Sequence, residues 1–487
     1  MVLSETEYAP GDDPRRKRRK SHPRAKPASS KPKKNIPGIA ARQVATTLLT
    51  RVIDDGRGLD GLLDTRHGPA GWRDLDPVDQ GLVRAIVTTV FRHRGEIEFA
   101  LSKMLDRKLP QKARHLIHTL HVAAAQILFL DVPDSAAVNL AVQSLRDDER
   151  STRFASLANA VLRRMSREKD DLFAKTSDDE RARLNVPPWL WKRMRKDYGR
   201  DRAVQIAQAH MLEPVLDITV KSEPGEWAGT FGGVNVFGNS VRVNAAGSVT
   251  EFPGFDDGDW WVQDAAASLP AHLLGDIAGK RVADLCAAPG GKTAQLVHLG
   301  ANVTAVEQSG DRLIRLKSNL QRLGLEADCV EADLFEWEPA DLFDAILLDA
   351  PCSSTGTIRR HPDVQWTKSA ALVEELAKLQ KDMIVRASTF LKPGGVLVFS
   401  NCSIDRAEGE DVVAQIIATE GEHGLQLDPL GADDVFGLDE VITGQGTVRS
   451  LPSHLQDITP PENASEADHH RFGGLDGFFA ARFSKKS

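Results

Sequence analysis

From Ile36 to Met165 the apolar residues recur at helical spacing and strand-like alternation is absent. Val44, Leu48, Leu49 and Val52 form one stripe, and Leu82, Val83, Ile86, Val87, Val90 and Phe91 form another at i, i+1, i+4, i+5. Asp76-Pro77 and Asp131-Val-Pro-Asp134 supply turn and cap signals between stripes. This pattern predicts an all-α bundle over residues 36–168. Ser166–Arg183 is charged and carries no clear stripe, as expected of a linker or an exposed helix. A basic helix begins at Pro188-Trp-Leu-Trp-Lys-Arg-Met-Arg195. Its Trp189 and Trp191 read as core anchors, with RNA contact by the Lys and Arg face as the alternative. Strand-like pieces at Leu216–Val220 and Ser240–Val243 make residues 169–255 a small α+β connector.

Over residues 256–487 the pattern changes to short apolar runs that alternate with helical stripes. Strands are expected from Arg281, over Val303–Val306, near Cys329–Glu331, over Ala345–Leu348 and over Val396–Phe399. Such runs suit a parallel sheet covered on both faces, hence a Rossmann-like α/β domain. Its first turn is Cys286-Ala287-Ala288-Pro289-Gly290-Gly291-Lys292, between an apolar run and a helical segment. Glycines there let backbone approach a ligand closely, and a helix N-terminus favours electron-rich groups. Glu307, about 20 residues on at the end of the second strand, is placed to accept hydrogen bonds from two ribose hydroxyls. The turn therefore reads as an adenosyl cofactor site, against an ordinary glycine-rich turn. A phosphate-binding P-loop is the third reading, but that motif needs glycine where Cys286 stands. Asp333 follows the third strand, either to bond an adenine amino group or to cap the next loop.

Composition narrows the class. The 487-residue chain is 41% hydrophobic and 27% charged, values of a globular protein with two or three domains. No apolar run of about 18 residues predicts a membrane span, and no secretory signal is visible. The four cysteines (Cys286, Cys329, Cys352, Cys402) lack C-x-x-C spacing and do not cluster with His, so neither a disulfide framework nor a metal site is expected. A reducing cytoplasm is the simple expectation. The net charge of −7 hides an asymmetry: residues 1–34 carry eleven Lys or Arg against four acids. Residues 1–35 therefore read as a disordered basic tail suited to a polyanion, or as a solvated tail without a partner.

Three of the four cysteines fall beside the proposed cofactor loop. The fourth strand ends in Asp349-Ala-Pro-Cys352 and the fifth at Ser400-Asn-Cys-Ser403. Open α/β sheets bind ligands at these carboxyl ends. One buried cysteine there would mean little. Two at neighbouring strand ends point to chemistry.

The segments Ala41–Val52, Ala137–Val142 and Asn159–Arg164 resemble the NusB-like RNA-binding fold. Cys286–Lys292, Asp349-Ala-Pro-Cys352, Asn401-Cys-Ser403 and Asp476-Gly-Phe-Phe479, in this order over about 190 residues, resemble the RsmB/NOP family of RNA 5-cytosine methyltransferases. Together the two resemblances imply an S-adenosylmethionine-dependent enzyme with RNA, and specifically small-subunit ribosomal RNA, as its partner. They imply that Cys402 attacks carbon 6 of cytosine and that Cys352 assists removal of the carbon-5 proton. Asp349 would bond the N3 and amino edge of the base, and Lys292 would lower the Cys402 pKa. Cys286, Ala287, Ala288, Pro289, Gly290, Gly291 and Lys292, with Glu307, Asp333 and Asp349, would surround the cofactor. The base must be unpaired or extruded for a thiolate to reach it. Asn401 departs from the family's usual Thr, and Asp217–Val220 departs from its usual Arg and Asn. A family member acting on another RNA, a non-catalytic RNA-binding assembly factor and a DNA cytosine methyltransferase are the rival readings; intact Cys352 and Cys402 argue against the second, and the third would use the Pro-Cys cysteine as nucleophile and need no second one.

Removing residues 1–34 is expected to weaken RNA binding and flatten its salt dependence while sparing turnover of saturating substrate. An unchanged slope of log affinity against log salt would take the tail out of the RNA interface.

Overall fold

The computed structural model describes residues 36–245, 247–462, 464–465 and 469–486. The basic tail expected over residues 1–35 lies outside the described residues.

The first region is helical throughout: α1 (Ile39–Ile53), α2 (Leu59–Leu62), α3 (Ala70–Arg73), α4 (Pro77–Arg92), α5 (Arg94–Met104), α6 (Arg114–Phe129), α7 (Asp134–Asp147) and α8 (Ala155–Glu168). The cap signal before α4 operates as its chemistry requires. Asp76 Oδ1 accepts from the Asp79 N–H at 2.8 Å, and Pro77 occupies the first turn, where its missing N–H costs nothing. α6 packs against α1, α4, α5, α7 and α8. Its face is apolar nearly all round, with Leu116, Leu120, Ala123, Ala124 and Ala125 buried, as a central helix must be. The stripe from Val83 to Phe91 lies in this core.

After a charged stretch, α9 (Asp178–Leu184) starts with a capping box formed by Ser177 and Glu180. α10 (Pro188–His210) is bent at Gly199, whose φ of 77° only glycine adopts readily. Trp189 and Trp191 pack against the cluster of Leu190 and Met194, and Trp189 Nε1 donates to the Gln365 carbonyl at 3.2 Å. They are anchors between elements, the first of the two readings above.

A small antiparallel sheet follows, in the order β2 (Val234–Phe237), β3 (Ser240–Val243), β1 (Leu216–Val220), β4 (Trp260–Val262). β4 lies past residue 255, so the chain leaves this sheet directly into the next domain. Asp217 and Arg242 face each other across β1 and β3, both buried, with Nε–Oδ1 at 2.7 Å and Nη2–Oδ2 at 2.9 Å. Arg242 also donates to the Phe472 carbonyl. Burial opposes both charges, but each ion holds the other charged: the Asp217 carboxyl is lowered and the Arg242 guanidinium raised.

The large sheet contains β5 (Arg281–Leu285), β6 (Asn302–Glu307), β7 (Asp328–Glu331), β8 (Phe343–Asp349), β9 (Leu391–Asn401), β10 (Leu425–Leu427), β11 (Val448–Arg449) and β12 (Phe479–Lys485). Its order is β10-β12-β9-β8-β5-β6-β7, with β11 paired to β12. The strands β5 to β9 run parallel, and β12 is antiparallel to both β9 and β10. β9 begins at Leu391 instead of Val396, because Lys392–Gly395 bulges within the strand. The chain order reverses between β5 and β8, which places a crevice at their carboxyl ends. Among the described residues no helix is long and apolar enough to cross a membrane.

Asp217→Ala would leave Arg242 buried without its counter-ion. We expect a loss of about 3–5 kcal/mol of stability, read as a lower urea midpoint; an unchanged midpoint would show that the pair does not hold the small sheet.

Candidate active site

The crevice is built first by the turn after β5. Cys286 adopts a left-handed φ of 65°, which swings the chain off the strand. The Ala287 N–H then bonds the Val306 carbonyl at 3.1 Å, and the Gly290 N–H bonds the Ala287 carbonyl at 2.9 Å. Gly290 has φ 101°, and a Cβ there would sit 3.0 Å from Leu316 Cγ. Only glycine closes this turn without strain. The helix Gly291–His298 starts at once, and Thr293 Oγ1 donates to Asp284 Oδ2 at 2.6 Å. Asp284 is fully buried and its Oδ1 has no hydrogen-bond partner; burial pushes the carboxyl up to about 7. Burial likewise pushes the Cys286 thiol up to about 12, so it is no nucleophile at neutral pH.

Glu307 and Asp333 lie beyond the ends of β6 and β7. Glu307 Oε2 accepts from the Ala288 N–H at 3.3 Å and Oε1 from the Ser309 N–H at 3.0 Å. Asp333 Oδ1 accepts from the Phe335 N–H at 2.9 Å, the capping contact, and Oδ2 from Gln308 Nε2 at 2.8 Å. Both carboxylates also line a cavity of about 410 Å³ with Cys286, Phe335, Pro351 and Met383. Carboxylates retain lone pairs for hydroxyl or amino donors, and the apolar walls suit the faces of a purine. The residues fit a nucleoside-bearing cofactor such as S-adenosylmethionine.

The two cysteines meet on the other side of the turn. Parallel register pairs Asp349 of β8 with Ser400 of β9, and the following loops bring Cys352 Sγ to 3.4 Å from Cys402 Sγ. Lys292, from the first turn of the helix after the glycines, places Nζ 2.8 Å from Asp349 Oδ2. Ser400 Oγ donates to Asp349 Oδ1 at 2.9 Å. Burial opposes the Lys292 charge, but Asp349 more than compensates and holds the ammonium above its ordinary value. The hydrogen bond from Cys352 holds the Cys402 thiol low against burial, with Lys292 adding to the effect. The same bond, then burial, raises Cys352 well above the usual thiol range. The two sulfurs share one hydrogen bond, and the opposite pKa directions favour Cys402 as the thiol that ionises first.

A second layer, invisible to motif reading, holds these loops. The buried Glu408 accepts from the Ser353 N–H at 2.8 Å, and Gln380 donates to the Pro351 carbonyl at 2.9 Å. Asn401 Oδ1 accepts from the Ser403 N–H at 3.0 Å and its Nδ2 donates to the Glu408 carbonyl, so this departure from the family's usual residue has a structural task. The Gly356 N–H donates to the Cys402 carbonyl at 2.9 Å, and the Gly477 N–H to the Gly356 carbonyl at 2.9 Å. A Cβ at Gly356 would lie 1.8 Å from the Gly477 carbonyl oxygen, which explains the closing Asp476–Phe479 segment beside the cysteines. Glu408 comes from the short helical turn Arg406–Glu408 just past Cys402, and Gln380 from the helix Ala370–Thr389.

A parallel sheet that reverses at β5/β8, with a nucleoside-sized cavity at the reversal, is the framework of an S-adenosylmethionine-dependent methyltransferase. Comparison with known proteins makes this particular. Residues 271–464 match the family described as 16S rRNA methyltransferase RsmB/F, and residues 39–167 match the NusB family. The chain is 34% identical over 471 residues to ribosomal RNA small subunit methyltransferase B of Xanthomonas campestris pv. campestris, covering 92% of this chain and 98% of that one. With the protein of the same description from Cronobacter sakazakii the identity is 31% over 415 residues, 82% of this chain and 94% of that one. The chain belongs to the RsmB/F family of ribosomal RNA methyltransferases. Among solved structures, PH0851 shares the fold with a TM-score of 0.67 at 22% identity, over 92% of this chain and 99% of that one. NSun6 from Pyrococcus horikoshii with SFG shares it with a TM-score of 0.50 at 19% identity, over 62% of this chain and 98% of that one.

The pH dependence of Cys402 alkylation by iodoacetamide, mapped by mass spectrometry, reads the thiolate directly. Its midpoint should lie below the ordinary thiol value. Cys352→Ala, by removing the donor, and Lys292→Met, by removing a cation and freeing the Asp349 charge, should each move the midpoint upward. A midpoint that stays or falls would mean the thiolate resides elsewhere.

Proposed function

We propose that this protein transfers a methyl group from S-adenosylmethionine to carbon 5 of a cytosine in small-subunit ribosomal RNA, through a covalent Cys402 adduct. One observation carries the reading. Two thiols lie 3.4 Å apart at adjacent strand ends, beside a Lys–Asp pair and next to a nucleoside-sized cavity. A methyltransferase acting on oxygen or an exocyclic nitrogen has no need of paired thiols. Carbon 5 of cytosine does, because it is a poor nucleophile until the ring is activated.

The Cys402 thiolate adds to carbon 6, forming a C–S bond and shifting the ring's π electrons onto carbon 5 and N3. S-adenosylmethionine supplies an electrophilic methyl group on a positively charged sulfur. Asp349, held by Lys292 and Ser400, is assigned to the N3 and amino edge of the base. Once Cys402 has become a thioether, the charge that kept Cys352 protonated is gone. Cys352 can then lose its proton to solvent and take the proton from carbon 5. The electrons of that C–H bond restore the ring double bond and expel Cys402 as thiolate, returning the thiol–thiolate pair to its starting state. In the cofactor cavity, Glu307 and Asp333 are assigned to the ribose and adenine, and the turn Cys286–Gly291 to the methionine portion. The NusB-like helical domain, residues 36–168, is assigned to RNA.

The cysteine variants test this assignment. Cys402→Ala should abolish both methylation and any covalent RNA adduct. Cys352→Ala should allow attack and methyl transfer but block the final elimination, so a protein–RNA complex should accumulate as a slow band on a denaturing gel. The double variant should lose that band. The opposite result, trapping by Cys402→Ala and inactivity without adduct in Cys352→Ala, would make Cys352 the nucleophile.

A further inference from the structure

The helical domain forms part of the catalytic cleft. A cavity of about 350 Å³ opens onto Cys402 and shares no lining residue with the cofactor cavity. Its floor and one wall come from the catalytic domain: Cys402, Ser354, Thr357, His361 and Lys368. The facing wall comes from the loop after α1 and the start of α2: Gly56, Gly58, Leu59 and Asp60, some 300 residues earlier in the chain.

This wall is fixed by contacts between the domains. The Leu59 N–H donates to Asp363 Oδ2 at 3.0 Å, and His361 Nδ1 lies 3.1 Å from Asp60 Oδ2. Behind the loop, Trp366 Nε1 donates to the Phe91 carbonyl at 2.8 Å, Arg92 to the Arg359 carbonyl at 2.9 Å, and the Arg94 guanidinium stacks 4.7 Å over the Trp366 ring. Two of the four loop residues are glycines, so the wall presents little side-chain bulk. Gly58 has an ordinary extended backbone, φ −64° and ψ 138°, and a Cβ there would meet nothing within 4 Å.

We infer that the loop Gly56–Asp60 of the helical domain is a positioning element for the nucleotide brought to Cys402. The inference rests on the cytosine reading above. The cleft is too small for a stacked duplex and large enough for one nucleotide, and it exposes the attacking sulfur. Val364 offers apolar surface to a base, Ser354 and Thr357 offer hydroxyls to sugar or phosphate, and Lys368 offers a cation to the flanking phosphate. The helical domain thereby gains a role in placing carbon 6 over Cys402, in addition to holding RNA at a distance.

The test fills the cleft from the helical side. Gly58→Phe introduces a ring where the backbone accepts it, and Gly61→Phe places the same ring on the exposed side of α2, away from the cleft. In the full-length protein, Gly58→Phe should lower kcat/KM for the RNA by about 100-fold, as misplacement of a reacting centre does. It should also slow alkylation of Cys402 by N-ethylmaleimide. The affinity for S-adenosylmethionine, measured by calorimetry, should stay unchanged, which shows that the variant is folded. Gly61→Phe should behave as the parent in all three. Methylation by Gly58→Phe at the parent rate would overturn the inference, as would slowed alkylation with undiminished methylation. A parent protein that methylates no cytosine would overturn the reading above and this inference with it. A Gly58→Phe protein that loses cofactor affinity as well would also overturn it, because the loop would then act through the fold.

Discussion

The pairing of β8 with β9 is the constraint on which the site depends. Adjacent strands lie about 4.8 Å apart, and the register that sets Asp349 against Ser400 leaves the two following loops no choice but to run side by side. Cys352 and Cys402 can then share one hydrogen bond, and one proton, between them. Their opposite pKa directions follow from that sharing more than from burial, which acts on both alike. A change of one residue in the β9 register would turn its side chains to the other face and part the sulfurs.

The loops themselves need more than the strands. Glu408 ties Ser353 through its carboxylate and Asn401 through its backbone carbonyl, so both cysteine loops hang from the same buried residue. On the other flank Arg360 donates to Asp264 at 2.6 Å and Asp476 at 3.1 Å, linking the small sheet's exit, the loop after Cys352 and the closing segment. Burial opposes the Arg360 charge, but Asp476, Asp264 and Asp217 raise it beyond its usual value. An ion cluster of this kind is costly to break, because each partner left alone would be a buried, unpaired charge.

The helical domain joins this framework through hydrogen bonds to carbonyls and to Asp363, the Asp60–His361 pair and one stacked arginine more than through a shared core. Its own core, built round α6, is separate from the clusters on the two faces of the large sheet. Joined this way, two independently packed units can hold a cleft of fixed width between them, which a loop alone could not.

The amino-acid sequence by itself determined the class of both domains and much of the site. Helical stripes with no alternation admit only a bundle, and buried apolar runs ending in Gly-Gly, Asp and Pro-Cys admit only a parallel sheet with ligands at its carboxyl edge. These signals are local, because periodicity, φ preference and strand-end chemistry are properties of a few neighbouring residues. Strand β12, the bulge in β9 and the fourth strand of the small sheet were not legible, since each exists only through the partner it pairs with. Tertiary structure alone set the two sulfurs against each other and beside the Lys292–Asp349 pair. It alone brought Glu408 under the loops and Gly58 over the cleft. Contacts between residues hundreds of positions apart leave no periodic trace in a single chain, because nothing local requires them.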